Sequence, residues 1–203
     1  MSRINASAGR ALALLQAILL SCICCVAIAP YCQAWTGFKK ALPGYQLSFP
    51  RDHFAHEDYA IEWWYYTGHL KTERDRWYGY ELTFFRYGLE PQPSADQRSE
   101  WAIQSIYFGH FAISDEGKKR FYYRERLNRA ALGMAGAATD RFRVWVDDWV
   151  LEARGDKHLL KASSDGFAID LALTPMKDLV IHGTDGISRK GAEEGHASHY
   201  YSY

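Results

Sequence analysis

The side chains best equipped for chemistry in this chain are acids and histidines set among aromatic residues. Glu62 opens the run Glu62-Trp63-Trp64-Tyr65-Tyr66-Thr67-Gly68-His69-Leu70. On an extended strand neighbours point to opposite faces, so Trp63, Tyr65, Thr67 and His69 share one face. Glu62, Trp64, Tyr66, Gly68 and Leu70 share the other. Both faces are aromatic and one carries an acid, which suits the wall of an apolar cavity. Asp147 and Asp148 lie between Trp145 and Trp149. Aspartate is depleted in strands, and a carboxyl among aromatics has its charged form disfavoured, so the pKa is expected to rise. That would make Asp148 a general acid. The alternative is a strand-end aspartate bonded to the backbone or to an arginine such as Arg143. His110, in Tyr107-Phe108-Gly109-His110-Phe111, and Glu62 carry the same choice between catalyst and satisfied polar group.

Other groupings carry less. His53-Phe54-Ala55-His56-Glu57 lacks the helical His-Glu-x-x-His spacing of a zinc site, and nearby Pro50 argues for a loop, so a loop-packing role is expected. His196 and His199 have no third ligand close by in sequence. No metal site is assigned. Gly186-Ile187-Ser188-Arg189-Lys190-Gly191 places its second glycine one position late for a nucleophile elbow, and reads as a glycine-rich β-turn. No phosphate-binding glycine loop is present.

These residues need strands to position them. After residue 35 the chain alternates short apolar segments with turn signals, the pattern of an all-β sandwich or barrel. Strands are expected over 61–71, 77–86, 101–113, 121–127 and 158–163. Tyr78, Tyr80, Leu82 and Phe84 fall on one face of the second. Residues 142–149 read as one alternating strand that includes Asp147 and Asp148. Phe167, Ile169, Leu171 and Leu173 alternate with Ala168, Asp170 and Ala172 after an Asp165-Gly166 turn, predicting a strand with one buried face. Residues 128–140, rich in Ala and Gly, read as a short helix or a loop. No long helical stripe and no internal repeat is visible.

The first 34 residues differ. Arg3 and Arg10 precede an apolar run from Ala11 to Ile28, and no acid comes before it. This is the layout of a signal peptide, with cleavage expected after Ala34. The run is also about long enough for a membrane anchor. Leu19-Leu20-Ser21-Cys22 resembles a lipoprotein signal, which would acylate Cys22. All four cysteines (Cys22, Cys24, Cys25, Cys32) lie in this leader, so the domain at 35–203 holds no disulfide. Export to the periplasm or outside the cell is expected, with membrane contact only through the leader or a lipid anchor. Lys+Arg and Asp+Glu balance at 24 each, which gives no electrostatic footprint for nucleic acid.

Seven motifs in order carry a resemblance. They are Glu62–Leu70, Gly79–Arg86, Tyr107–Ala112, Val144–Trp149, His182-Gly183, Ser188–Gly191 and Tyr200–Tyr203. Over residues 45–203 the chain resembles the lipocalin-like carotenoid 1,2-hydratase (hydroxyneurosporene synthase) family, especially its secreted AttH-like branch. The resemblance implies a lipocalin-like antiparallel β domain, the first of two in proteins about twice as long, with the chain stopping before the second. It also implies an apolar small molecule, a polyene, isoprenoid or lipid, as ligand. The hydratases' catalytic acid is implied to lie in the second half. Hydration of an isolated alkene needs a neutral acid, aromatic walls that tolerate a tertiary cation and a positioned water, but no cofactor. Trp63, Trp64, Tyr65, Tyr66, His69, Trp149 and His182 are the expected ligand-binding residues, and Asp148, Glu62 and His110 the candidate polar catalysts. The rival expectation is a secreted, non-enzymatic carrier working with transporter permeases. A hydrolase lacks a nucleophile motif here.

Overall fold

The structure is a computed structural model and describes residues 37–91 and 103–203. The leader expected over residues 1–34, with Cys22, lies outside the described residues, as does the start of the strand expected from Trp101. The alternation over 61–88 produces two long strands, β1 (Ile61–Lys71) and β2 (Trp77–Gly88). They pair antiparallel with Trp64 opposite Phe84 and Glu62 opposite Arg86. β3 (Ser105–Asp115) and β4 (Arg120–Arg129) complete a four-stranded meander in the order β1-β2-β3-β4.

The second sheet is a five-stranded meander. It consists of β5 (Ala135–Ala137), β6 (Arg143–Val146), β7 (Trp149–Arg154), β8 (Lys157–Ser164) and β9 (Phe167–Leu173), each hydrogen-bonded to the next. Two departures from the sequence pattern occur here. The Ala/Gly-rich stretch contributes the short strand β5. The stretch 142–149 is not one strand: Asp147 and Asp148 form the two-residue turn of a β6–β7 hairpin, closed by the Val146–Trp149 pair. Asp147 has φ 55, the left-handed region that Asp tolerates better than most residues.

The sheets face each other across one core. Leu82, Phe84 and Phe111 of the first meet Val144, Val146, Trp149, Leu151 and Leu160 of the second. Each large side chain so buried contributes about 1.5–3 kcal/mol. Trp149 is 0% exposed and lies against Gly109, where a Cβ would come within 3.0 Å of the ring. Glycine at 109 is therefore what lets β3 approach the indole. The opposite face of the first sheet mixes apolar and polar side chains. Its register sets Trp63, Phe85, Phe108 and Leu127 in one row and Tyr65, Thr83, His110 and Glu125 in the next.

Four short strands close the chain. β10 (Val180–Ile181) pairs with β13 (Tyr201–Ser202), and β11 (Ile187–Arg189) with β12 (Ala197–His199). Gly186-Ile187-Ser188-Arg189 thus enters a small hairpin. Among the described residues no helix is long and apolar enough to cross a membrane.

Candidate functional site

A cleft of about 390 Å³ opens beside β1. Glu62, Trp64 and Tyr66 line it from one face of the strand, and Trp63, Tyr65 and Thr67 from the other. Residues of both faces meet one cavity only along a strand's edge, and β1 is hydrogen-bonded to β2 on its other side. Further wall comes from the 3-10 turn Arg51–His53, from Phe142 just before β6, from His158 of β8, and from residues 197–203.

The first polar cluster is built around His56. Its Nε2 lies 3.0 Å from Asp52 Oδ1 and its Nδ1 2.9 Å from Glu62 Oε1. With a carboxylate at each nitrogen, both must carry protons for both contacts to be hydrogen bonds. Burial pushes the His56 pKa down, but its bonds to Glu62 and Asp52 outweigh this and leave it raised. Glu62 also accepts from the His56 backbone N–H at 2.8 Å and from Arg86 Nε at 2.9 Å. Arg86 is 1% exposed and donates further to the carbonyls of His56 and Tyr59. Burial pushes the Asp52 carboxyl up, yet the Ser48 N–H, the Tyr45 hydroxyl and His56 hold it below the usual carboxylate range. Both acids of the cleft are thus saturated by donors and two cations.

The second cluster is made of histidine and tyrosine. Tyr201 donates its hydroxyl to the Asp52 carbonyl at 2.8 Å. His53 Nδ1, 2.8 Å from the same hydroxyl oxygen, must then be the donor of that pair. His53 Nε2 is left to accept from the Tyr203 hydroxyl at 2.9 Å. Burial, aided by nearby His158, lowers the His53 pKa to about 4, so the ring is neutral at pH 7. Tyr66 is bonded to His158 Nδ1. Burial raises the pKa of this tyrosine and lowers that of this histidine. The Trp64 indole N–H donates to the His53 carbonyl at 3.1 Å, tying β1 to the 3-10 turn.

Of the expected site residues, the cleft brings together Glu62, Trp63, Trp64, Tyr65 and Tyr66. The others lie elsewhere. Trp149 is a core residue whose indole N–H donates to the Ser163 carbonyl at 2.8 Å. His110 is on the outer face of the first sheet, 3.4 Å from Glu125. His69 is exposed near Glu116, and His182 stacks behind Tyr200 at 4.4 Å. Asp148 is on the exposed turn, paired with Arg126 rather than Arg143. Its expected rise in pKa is corrected: the Arg126 hydrogen bond holds the carboxyl below its ordinary value. The turn, not a strand, is the reason, because it lifts the side chain out of the aromatic surroundings.

Sequence reasoning missed Asp52, His53, His56 and His158 as cleft residues. His53 and His56 were visible only as a non-zinc spacing in a loop, although two such histidines between an Asp and a Glu already offered an ion-pair network. His158 carried no signal. Among the described residues, no group of three or more His, Cys, Asp or Glu side chains is arranged to hold a metal ion.

Two facing antiparallel meanders with an aromatic cleft at an open sheet edge define a lipocalin-type β domain. The chain belongs to the AttH-like family, whose sequence pattern matches residues 40–203. It is similar to the crystal structure of an AttH candidate from Nitrosomonas europaea, with a TM-score of 0.70 and 32% sequence identity. The match covers 81% of this chain and 48% of that one, so this chain spans about half the length of that protein. No curated protein matches the chain.

Proposed function

We propose that this domain binds an apolar small molecule, a polyene, isoprenoid or lipid, in the cleft beside β1. The observation that carries the reading is the cleft itself, about 390 Å³ lined by Trp63, Trp64, Tyr65, Tyr66, Phe142 and Tyr200. Aromatic walls with a few convergent polar groups are the usual make-up of a small-molecule site. The finer reading is addition of water across an isolated C=C bond. Protonating such a bond needs a neutral carboxylic acid, and Asp52 and Glu62 are each held by donors and a cation. In a hydratase this domain therefore supplies the wall, and the acid comes from the rest of a longer protein.

The same saturated acids favour a second reading, an exported carrier that hands its ligand to a transporter permease. The lipid extract that co-purifies with the full-length protein separates the two. Unaltered bound lipid supports the carrier, and hydroxylated product supports the hydratase. An extract empty of apolar molecules, with no binding of added polyene, overturns the proposal. Full turnover in both Asp148→Asn and Glu62→Gln would remove these residues from any catalytic role.

A further inference from the structure

The inference rests on the apolar-ligand reading and concerns what else the ligand must carry. The protons of the His53 cluster can be counted. Tyr201 O–H goes to the Asp52 carbonyl, His53 Nδ1–H to the Tyr201 oxygen, and Tyr203 O–H to His53 Nε2. That chain of donors is closed. The Tyr66–His158 pair is not closed. Either Tyr66 donates to Nδ1, leaving an N–H on His158 Nε2, or Nδ1–H donates to Tyr66, leaving the phenol O–H. In both arrangements one donor has no partner among the described residues. His158 is only 7% exposed, and both residues line the cleft. The free donor faces the cleft, where water can meet it until a ligand takes the water's place, and a ligand that covers it without accepting from it forfeits about 1–3 kcal/mol.

We infer that the Tyr66–His158 pair holds an uncharged oxygen of the bound molecule, so that the ligand is an apolar alcohol, ketone or aldehyde rather than a bare hydrocarbon or a carboxylate. A carboxylate would need an unmatched cation. Among the described residues no Lys or Arg lines the cleft. Lys190 lies over the Trp63 and Tyr200 rings, not at the Tyr66–His158 pair, and His56 is already shared between Asp52 and Glu62. Burial keeps both His53 and His158 neutral at pH 7, in line with an uncharged partner. A hydrocarbon would desolvate the free donor and return nothing for it.

The test is a chain-matched series, dodecanol, dodecanoate and dodecane, titrated at neutral pH into the full-length protein and followed by tryptophan emission and calorimetry. Dodecanol is expected to bind about tenfold more tightly than either of the others, the worth of one made rather than lost hydrogen bond. The double variant Tyr66→Phe, His158→Phe is expected to reduce that preference to under about threefold. Dodecanoate binding as tightly as dodecanol overturns the inference, as does dodecane doing so, and in either case the apolar-ligand reading stands. Binding of none of the three overturns both. If the double variant does not fold, the wild-type series alone decides.

Discussion

Two carboxylate clusters in this domain look alike in sequence and differ in surroundings. Around His56, Asp52 and Glu62 share an imidazole at the wall of the cleft, and Glu62 also holds the 1% exposed Arg86 guanidinium. Around Arg126, Asp147 and Asp148 share a guanidinium on an open hairpin turn. Each cluster matches acids with bases. The first does so out of water, where every group left without a partner is expensive, and the second does so in water, where little is lost when a partner goes. A carboxylate's chemistry is therefore set by burial and by the number of donors aimed at it, not by the aromatic residues beside it in sequence.

The largest test of that contrast is Arg86→Leu. It removes the donor to Glu62 and to two carbonyls at a site closed to solvent. A loss of about 3–5 kcal/mol is expected, read from urea unfolding. Glu62→Gln comes next, at about 1–3 kcal/mol, since the amide cannot accept from Arg86 and His56 together without presenting its own donors to them. A cost for Arg86→Leu below that of an ordinary surface substitution would break the comparison at its stronger end.

The histidines sharpen the contrast through pH. His53 has a folded pKa of about 4 against an ordinary 6.5, so the unfolded chain binds the extra proton. Stability then falls as pH drops from 6.5 towards 4. Allowing for the screened part of the ring, the loss is roughly 1–2 kcal/mol, or about 2–8 °C in melting temperature. His56 runs the other way. Its folded pKa is raised above 6.5, so its contribution is complete below 6.5 and is lost as pH rises through the folded value. Melting temperature against pH should show both limbs. His53→Gln, which keeps a hydrogen-bonding side chain but does not titrate, should shrink the acid limb, to which His158 and His199 also contribute, and leave the alkaline one unchanged.

Much of the frame was legible because strands write their faces into sequence at period two. Tyr80, Leu82 and Phe84, and Ile169 with its neighbours, fall where alternation put them. The same rule failed at Asp147. Apolar alternation continues on both sides of the turn, but a two-residue hairpin shifts its phase, from Val144 and Val146 inward before the turn to Trp149 and Leu151 after it. That shift and the depletion of Asp in strands were the marks of the break. β5 was hidden because Ala and Gly carry no amphipathic contrast. Half of the cleft was also hidden. The aromatic run at 62–66 announced one wall, but His53 meets Tyr201 and Tyr203 across 148 and 150 residues. No local pattern encodes a contact that two sheets and a terminal hairpin must assemble.

The smallest expected effect is Asp148→Asn, and it bears most directly on the reading of this acid. Arg126 does not depend on Asp148 for its position, because it stacks 4.4 Å over the Trp149 ring and donates to the Ser163 carbonyl. Ser163 can still donate to an asparagine oxygen where it now meets Asp148 Oδ2 at 3.1 Å. What disappears is one solvent-exposed ion pair, worth about 0–1 kcal/mol and screened by salt. The variant should unfold within that margin of the wild type in dilute buffer and match it in about 1 M salt, where the Debye length is near 3 Å. A cost as large as that of Glu62→Gln, persisting in salt, would mean that the turn carboxylate is held as tightly as the buried one. The distinction between the two clusters would then fail.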